Sequence, residues 1–152
     1  MIGHPVMAGQ HRYGLRVYYE DTDAGGVVYH ATYLRFAERA RTEALRDLGV
    51  AHAEMVSGHG VMFMVRRIKL DYARPALIDE PLVVITHPLA VGAASVELRQ
   101  IVARDGQTLV TLDVQLACVR LADQRPGRIP PRWRSALRAM MAELELAPFG
   151  AQ

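Results

Sequence analysis

The chain has a single cysteine, Cys118, among 152 residues, so no internal disulfide framework can hold it together. A lone thiol suits a reducing compartment, and the simplest place for Cys118 is a small core position. An excess of charge of either sign is lacking too. The 18 basic residues are dispersed among 16 acidic ones, for a net charge of +2, which argues against a general nucleic-acid binder and leaves small anions as ligands. No apolar run approaches the ~18 residues of a membrane span. The start, MIGHPVMAGQHR, lacks the charged beginning and apolar stretch of a secretory signal. These absences predict a cytoplasmic protein without a membrane span. No repeat, low-complexity segment or linker divides the sequence, and 51% hydrophobic with 22% charged residues is the composition of a chain that folds. A chain of this length buries about 68–70% of its unfolded surface in one core. The expectation is one domain over 1–152, with its core over 12–121 and a C-terminal helix over 132–146.

The residues present alternate from the start of that core. Tyr13, Leu15, Val17 and Tyr19 share one face and Arg12, Arg16 and Glu20 the other, as a half-buried strand requires. In TYLRFAERARTEALRDLGV, Tyr33, Phe36, Ala37, Ala40, Ala44 and Leu48 recur at helical spacing, and Gly49 sits where a helix would be capped. Three alanines in that stripe let a sheet approach closely. Arg41 and Asp47 lie beside it, so one edge of the helix is wet or paired.

Strands follow. GVMFMVRRIKLDY places Met62, Met64, Ile68, Leu70 and Tyr72 on one face, with Phe63, Val65, Arg67, Lys69 and Asp71 on the other. PLVVITHPLAV carries Pro88, which points to an edge, a bulge or a break. Asp105-Gly106 supplies the positive φ angles of a two-residue hairpin, and Val110, Leu112, Val114, Leu116 and Cys118 make a continuous core face beyond it. After DQRPGRIPPR, Trp133, Leu137, Met140, Met141 and Leu144 repeat at helical spacing. One strand, a long helix and four strands predict an α+β domain in which an antiparallel sheet packs on a helix.

The stretch EDTDAGGVVYHATY joins the first strand to that helix. Asp21, Asp23 and Gly26 fall at positions one, three and six of a calcium loop, but position five is Gly25 and position twelve is Thr32, where a bidentate Glu is needed. A phosphate cradle is disfavoured by two carboxylates before the glycines and by the lack of a following Lys-Ser/Thr pair. No metal ligand set accompanies them, and no cofactor is expected. On spacing alone the favoured reading is an Asx-turn at Asp23 with glycines relieving strain. A second use of the same residues stays open. If the glycines reverse the chain so that a helix begins near Tyr29 or His30, its free N–H groups face the carboxylate's neighbourhood and form an oxyanion hole suited to acyl transfer. An exposed carboxylate is a poor base at neutral pH, so it needs desolvation or direct attack on the carbonyl. A thioester fits such an apparatus, because a thiol of pKa about 8.5 leaves without a strong acid.

The run RVYYEDTDAGGVVYHATYLRFAERAR, Arg16 to Arg41, resembles the active-site segment of the 4-hydroxybenzoyl-CoA thioesterase family, above all its Tol-Pal-associated (YbgC-type) acyl-CoA thioesterase branch. Arg16-Val17, Thr22-Asp23, Gly26-Val27-Val28, His30 and Tyr33 match at the family's spacing, VRRIKLDYARPALIDEPL resembles the next strand and turn, and the likeness weakens after Leu121. The resemblance implies a hotdog fold, an antiparallel sheet wrapped around a long central helix, assembled as a homodimer or homotetramer. It implies an acyl-CoA thioesterase with an acyl-CoA substrate, acyl carrier protein as a further thioester donor, and no metal. Asp23 is then the catalytic carboxylate, with Asp21 a neighbour without that role. The backbone N–H of His30 is the oxyanion donor, and Tyr29 and Gly26 contact substrate. Arg66, Arg67, Lys69, Arg125 and Arg128 are exposed cations available to CoA phosphates, none assigned by the resemblance. The rival functions are a hotdog dehydratase and a non-catalytic acyl-carrier or envelope-complex adaptor.

Overall fold

The computed structural model describes residues 6–146; the ends of the expected domain, 1–5 and 147–152, lie outside the described residues. The strands are β1 (Val6–Met7), β2 (Gln10–Arg16), β3 (Val61–Tyr72), β4 (Pro81–Val91), β5 (Ser95–Arg104) and β6 (Gln107–Arg120), and the helices are α1 (Thr32–Asp47), α2 (His52–His59) and α3 (Pro131–Leu146). One antiparallel sheet holds all six strands in the order β1-β2-β4-β5-β6-β3. The helix α1 packs across β2 and β4, which is the expected hotdog arrangement.

The alanine stripe explains how closely helix and sheet meet. Ala37, Ala40 and Ala44 are buried, and the side chain of Gln100 on β5 reaches the helix backbone, donating from Nε2 to the Ala37 carbonyl at 2.9 Å. The same amide donates to Thr86 at 3.0 Å, and its Oε1 accepts from Arg41 at 3.0 Å. His11 meets Asp47 at 2.7 Å. The polar edge of α1 is thus paired, which satisfies groups that burial would otherwise penalise. Leu48 and Gly49 end the helix, Gly49 at φ +78°.

Asp105 and Gly106, at φ +50° and +77°, form the hairpin between β5 and β6. The five-residue core face of β6 is buried throughout. Pro88 sits in a central strand beside a bulge between Pro88 and Ala90, neither at an edge nor at a break. Three expectations need correction. First, the two faces of β3 exchange at a bulge between Val65 and Arg67. Phe63 and Val65 pair with Cys118 and Leu116, and Ile68 and Leu70 pair with Val114 and Leu112, so all four face the core side, whereas Met62 and Met64 face away. Second, the β2 alternation ends at Val17. Tyr19 opens a 3-10 turn, Tyr19–Asp21, and is 84% exposed, not a core residue. Third, α1 begins at Thr32, two to three residues after the expected start.

The last helix, α3, lies on β4, with Trp133, Leu137 and Met140 buried. Gly9 permits this docking. A Cβ there would lie 2.3 Å from the Leu144 backbone nitrogen, and its φ of +76° disfavours any other residue. Within the described residues, no helix is long and apolar enough to cross a membrane.

Candidate active site

The loop between β2 and α1 is built by backbone hydrogen bonds. Asp21 caps the 3-10 turn, its Oδ2 accepting the Tyr18 N–H at 2.8 Å. Its carbonyl accepts the Tyr29 N–H at 2.9 Å, Thr22 bridges Val28, and the Asp23 N–H donates to the Val27 carbonyl at 2.8 Å. Between these rungs the chain reverses over Asp23-Ala24-Gly25-Gly26, closed by Gly26 N–H to the Asp23 carbonyl at 3.1 Å. Gly26 has φ +82°, which the turn requires and L side chains resist. Asp23 Oδ1 accepts the Gly25 N–H at 2.8 Å, so the Asx-turn is present. It occupies one carboxylate oxygen; Oδ2 has no hydrogen-bond partner among the described residues, and Asp23 is exposed.

A second segment holds the loop from the other side. The Val28 N–H donates to the Ala76 carbonyl at 2.9 Å, Val27 bridges Leu77, and the Ala76 N–H donates to the Tyr33 hydroxyl at 3.1 Å. Burial raises the Tyr33 pKa, which keeps this phenol protonated. Tyr72, the last residue of β3, donates from its hydroxyl to the His30 carbonyl at 2.8 Å. Glu80 accepts the Leu77 N–H at 2.6 Å and pairs with Arg104 at 2.7 Å, bracing the turn that carries Ala76.

The start of α1 presents a free donor. The Thr32 N–H donates to the Tyr29 carbonyl at 2.8 Å, which fixes the plane of the Tyr29–His30 peptide with its carbonyl toward the helix. In a trans peptide the N–H points the opposite way, so the His30 N–H faces away from the helix start. It has no acceptor among the described residues. Val28 is buried, and by alternation Val27 and Tyr29 turn outward with Asp23. His30 lines a 240 Å³ cavity with Tyr33, Tyr72, Arg74 and Pro75, whereas Asp23, Gly26 and Tyr29 belong to the adjoining loop and not to its wall. Tyr72 and Arg74 were not singled out for a site role from the sequence. The signal for Tyr72 was its position at a strand end followed by Ala-Arg-Pro, which reads equally as an ordinary turn.

The cations considered for phosphates are exposed. Arg66 is the extra residue of the β3 bulge and Arg67 and Lys69 follow it, so these three lie along β3. Arg125 and Arg128 lie beyond β6. Among the described residues no group of three or more His, Cys, Asp and Glu is placed to hold a metal ion.

Residues 17–137 match the family model described as the thioesterase-like superfamily. The acyl-CoA thioesterase YbgC of Haemophilus influenzae is 41% identical over 122 residues, covering 80% of this chain and 90% of that protein. The acyl-CoA thioester hydrolase YbgC of Escherichia coli O6:H1 is 39% identical over 120 residues, covering 78% and 89%. A crystal structure of a probable thioesterase from Bartonella henselae superposes with a TM-score of 0.76 at 37% identity, covering 80% of this chain and 99% of that one. With this hotdog fold, this loop and these relatives, the chain belongs to the thioesterase-like superfamily and, within it, to the YbgC family of acyl-CoA thioesterases.

Proposed function

We propose that this protein is an acyl-CoA thioesterase that converts R–CO–S–CoA and water to R–COOH and HS–CoA, with Asp23 as its catalytic carboxylate and the His30 N–H as its oxyanion donor. The observation that carries the reading is the unengaged His30 N–H, turned out of a helix start, in the same hydrogen-bonded loop as a carboxylate with one free oxygen. The substrate carbonyl oxygen accepts from that N–H. Charge developing there is stabilised by the donor and by the positive end of α1, a helix of 16 residues without an acidic first turn. Asp23 then either attacks the carbonyl carbon, giving an acyl-aspartyl anhydride that water opens, or takes a proton from the water that attacks. In both routes the C–S bond breaks and the thiolate leaves as CoA. Gly26 keeps the loop free of a side chain, and Tyr29, 48% exposed, walls the substrate's approach. Acyl carrier protein is a second thioester donor compatible with this chemistry, and no metal or other cofactor takes part.

The whole chain acts as one cytoplasmic domain, assembled as a homodimer or homotetramer. β3 ends the sheet with twelve residues whose outer edge has no partner strand among the described residues, an edge that natural sheets cover or pair. Tyr18, Tyr19, Tyr29 and Tyr72 stand exposed round the loop, as a site completed by substrate and a second chain requires.

The test is thiol release from a panel of aliphatic and aromatic acyl-CoAs, with the acid product quantified. One acid formed per thiol, without divalent metal, supports the proposal. An acyl-CoA bound but never cleaved is the adaptor's behaviour, and hydration or dehydration with the thioester intact is the dehydratase's; either result defeats it.

A further inference from the structure

His30 carries the donor on which the proposed chemistry rests, yet the helix does not hold it. The ladder of α1 starts one residue later, with the Leu34 N–H donating to the Ala31 carbonyl at 3.2 Å. The His30 carbonyl accepts no backbone N–H among the described residues. Its partner is the hydroxyl of Tyr72, which donates to it at 2.8 Å from 42 residues along the chain. That tyrosine is mounted on the sheet. It ends β3 opposite Val110 of β6, and the next two N–H groups, of Ala73 and Arg74, both donate to the Leu109 carbonyl, at 2.8 and 3.1 Å. Its ring meets the edge of Tyr33 at 5.9 Å between centroids, and Tyr33 is buried with its own hydroxyl bonded to Ala76.

Two peptide planes meet at His30, and each moves as a unit. The plane before it carries the donor N–H and is held by the Thr32 N–H, which bonds the Tyr29 carbonyl at 2.8 Å. The plane after it is held by Tyr72. The two restraints are coupled, because Thr32 is attached through Ala31 to the second plane. Released from Tyr72, that plane turns about the His30 backbone and carries Thr32, and with it the hold on the donor, away from its position. The Tyr72 bond does not polarise the His30 N–H, since the carbonyl it engages lies in the other peptide. Its effect is on direction, to which a hydrogen bond and an oxyanion site are both sensitive. Tyr72 is half-exposed on the wall of the cavity that His30 lines. With its one proton already donated to the loop, its hydroxyl has none to give a leaving thiolate.

We propose that Tyr72 is a positioning residue of this thioesterase: its hydroxyl holds the His30 carbonyl and so aims the His30 N–H at the oxygen of the thioester. This inference rests on the thioesterase reading and adds to it a residue supplied by the far end of β3. The test is Tyr72→Phe, which keeps the ring against Tyr33 and removes only the hydroxyl. On an acyl-CoA, kcat falls about tenfold while KM stays within about a factor of two, as a loss confined to the transition state requires. A rise in KM with kcat unchanged makes Tyr72 a contact to substrate and overturns the proposal, as does turnover within about a factor of two of wild type.

A loop loosened in general also slows turnover, so a second readout follows the donor itself. In the Asp23→Asn background the thioester stays intact, and an acyl-CoA isotope-labelled at its thioester carbonyl shows the strength of the hydrogen bond it accepts in its C=O stretching frequency. At saturation the band lies lower on Asp23→Asn than on Asp23→Asn/Tyr72→Phe. Equal frequencies on the two overturn the proposal even where kcat has fallen. If the wild-type protein cleaves no acyl-CoA, the thioesterase reading itself has failed and takes this role with it; an active wild type beside an equally active Tyr72→Phe removes the positioning role alone.

Discussion

Replacing Asp23 by asparagine separates chemistry from loop architecture, because the structure shows what the amide retains. Asp23 Oδ1 accepts the Gly25 N–H at 2.8 Å, and an asparagine Oδ1 can do the same in the same shape. The turn's other bonds, Asp23 N–H to Val27 and Gly26 N–H to Asp23, are backbone to backbone and unaffected. The stability cost is that of exchanging a charged acceptor for a neutral one at an exposed site, below about 1 kcal/mol. The amide, however, can neither attack a carbonyl nor take a proton from water. Loss of a nucleophile or base removes at least about 2.7 kcal/mol of transition-state stabilisation, or about a hundredfold in kcat. Asp21→Asn is the control in the same loop. Its side chain caps the Tyr18 N–H at 2.8 Å, which asparagine also can, and its bond to Tyr29 uses the backbone carbonyl. That variant keeps most of its activity. Steady-state thiol release, circular dichroism melts and CoA titration of both variants form the assay. If Asp23→Asn retains more than about a tenth of wild-type kcat, or if Asp21→Asn is the inactive one, the assignment of the chemistry is wrong.

Four further outcomes are expected. Light scattering gives a multiple of the 16.9 kDa chain mass; the monomer mass at working concentration contradicts the pairing of β3. Turnover survives EDTA, and loss restored by a divalent ion defeats the metal-free mechanism. Stability falls as pH drops below about 6.5. Burial lowers the pKa of His52, whose Nε2 accepts the Phe63 N–H at 3.1 Å, and burial with the Arg99 charge lowers that of His87, so the unfolded chain takes up these protons first. His52→Gln/His87→Gln flattens this slope in urea midpoints between pH 7.5 and 5, and an unchanged slope assigns it to other groups. Gly9→Ala drives a Cβ to 2.3 Å from the Leu144 nitrogen and 2.5 Å from the Met140 carbonyl at a positive φ, which costs more than about 1 kcal/mol; an unchanged melting temperature refutes this docking of α3.

What the sequence disclosed about the fold was local in origin. The α1 stripe, the Asp105-Gly106 hairpin and the β6 core face each depend on residues a few positions apart, whose periodicity or turn chemistry is self-contained. The β3 faces failed for the opposite reason. Whether Arg66 is squeezed out between Val65 and Arg67 depends on what Leu116 and Gln115 offer across the ladder, and a one-residue slip reverses every side chain beyond it. α2 has a single buried residue, Met55, so no apolar stripe announced it. Gly9 read as an ordinary glycine because the helix it admits lies more than a hundred residues away.

At the site, spacing leaves the same loop two readings, an Asx-turn and a catalytic carboxylate, and the hydrogen bonds of the loop are compatible with both at once. The Asx bond to Gly25 consumes one oxygen of Asp23 and restricts the rotation of the other, so the hydrogen bond that makes the turn also orients the remaining lone pairs. The rungs that set the loop's register carry the chain from Asp21 to Tyr29 and on to Thr32, whose N–H fixes the peptide that bears the His30 donor. Tyr72 then holds the following carbonyl. A carboxylate and an amide seven positions apart in sequence are thereby tied to one rigid frame by interactions that are structural when taken singly. This is also why spacing alone favoured an ordinary turn. The turn is real, and the chemical use proposed for it rests on a donor whose direction follows from the Thr32 bond and on a tyrosine that β3 delivers from far along the chain.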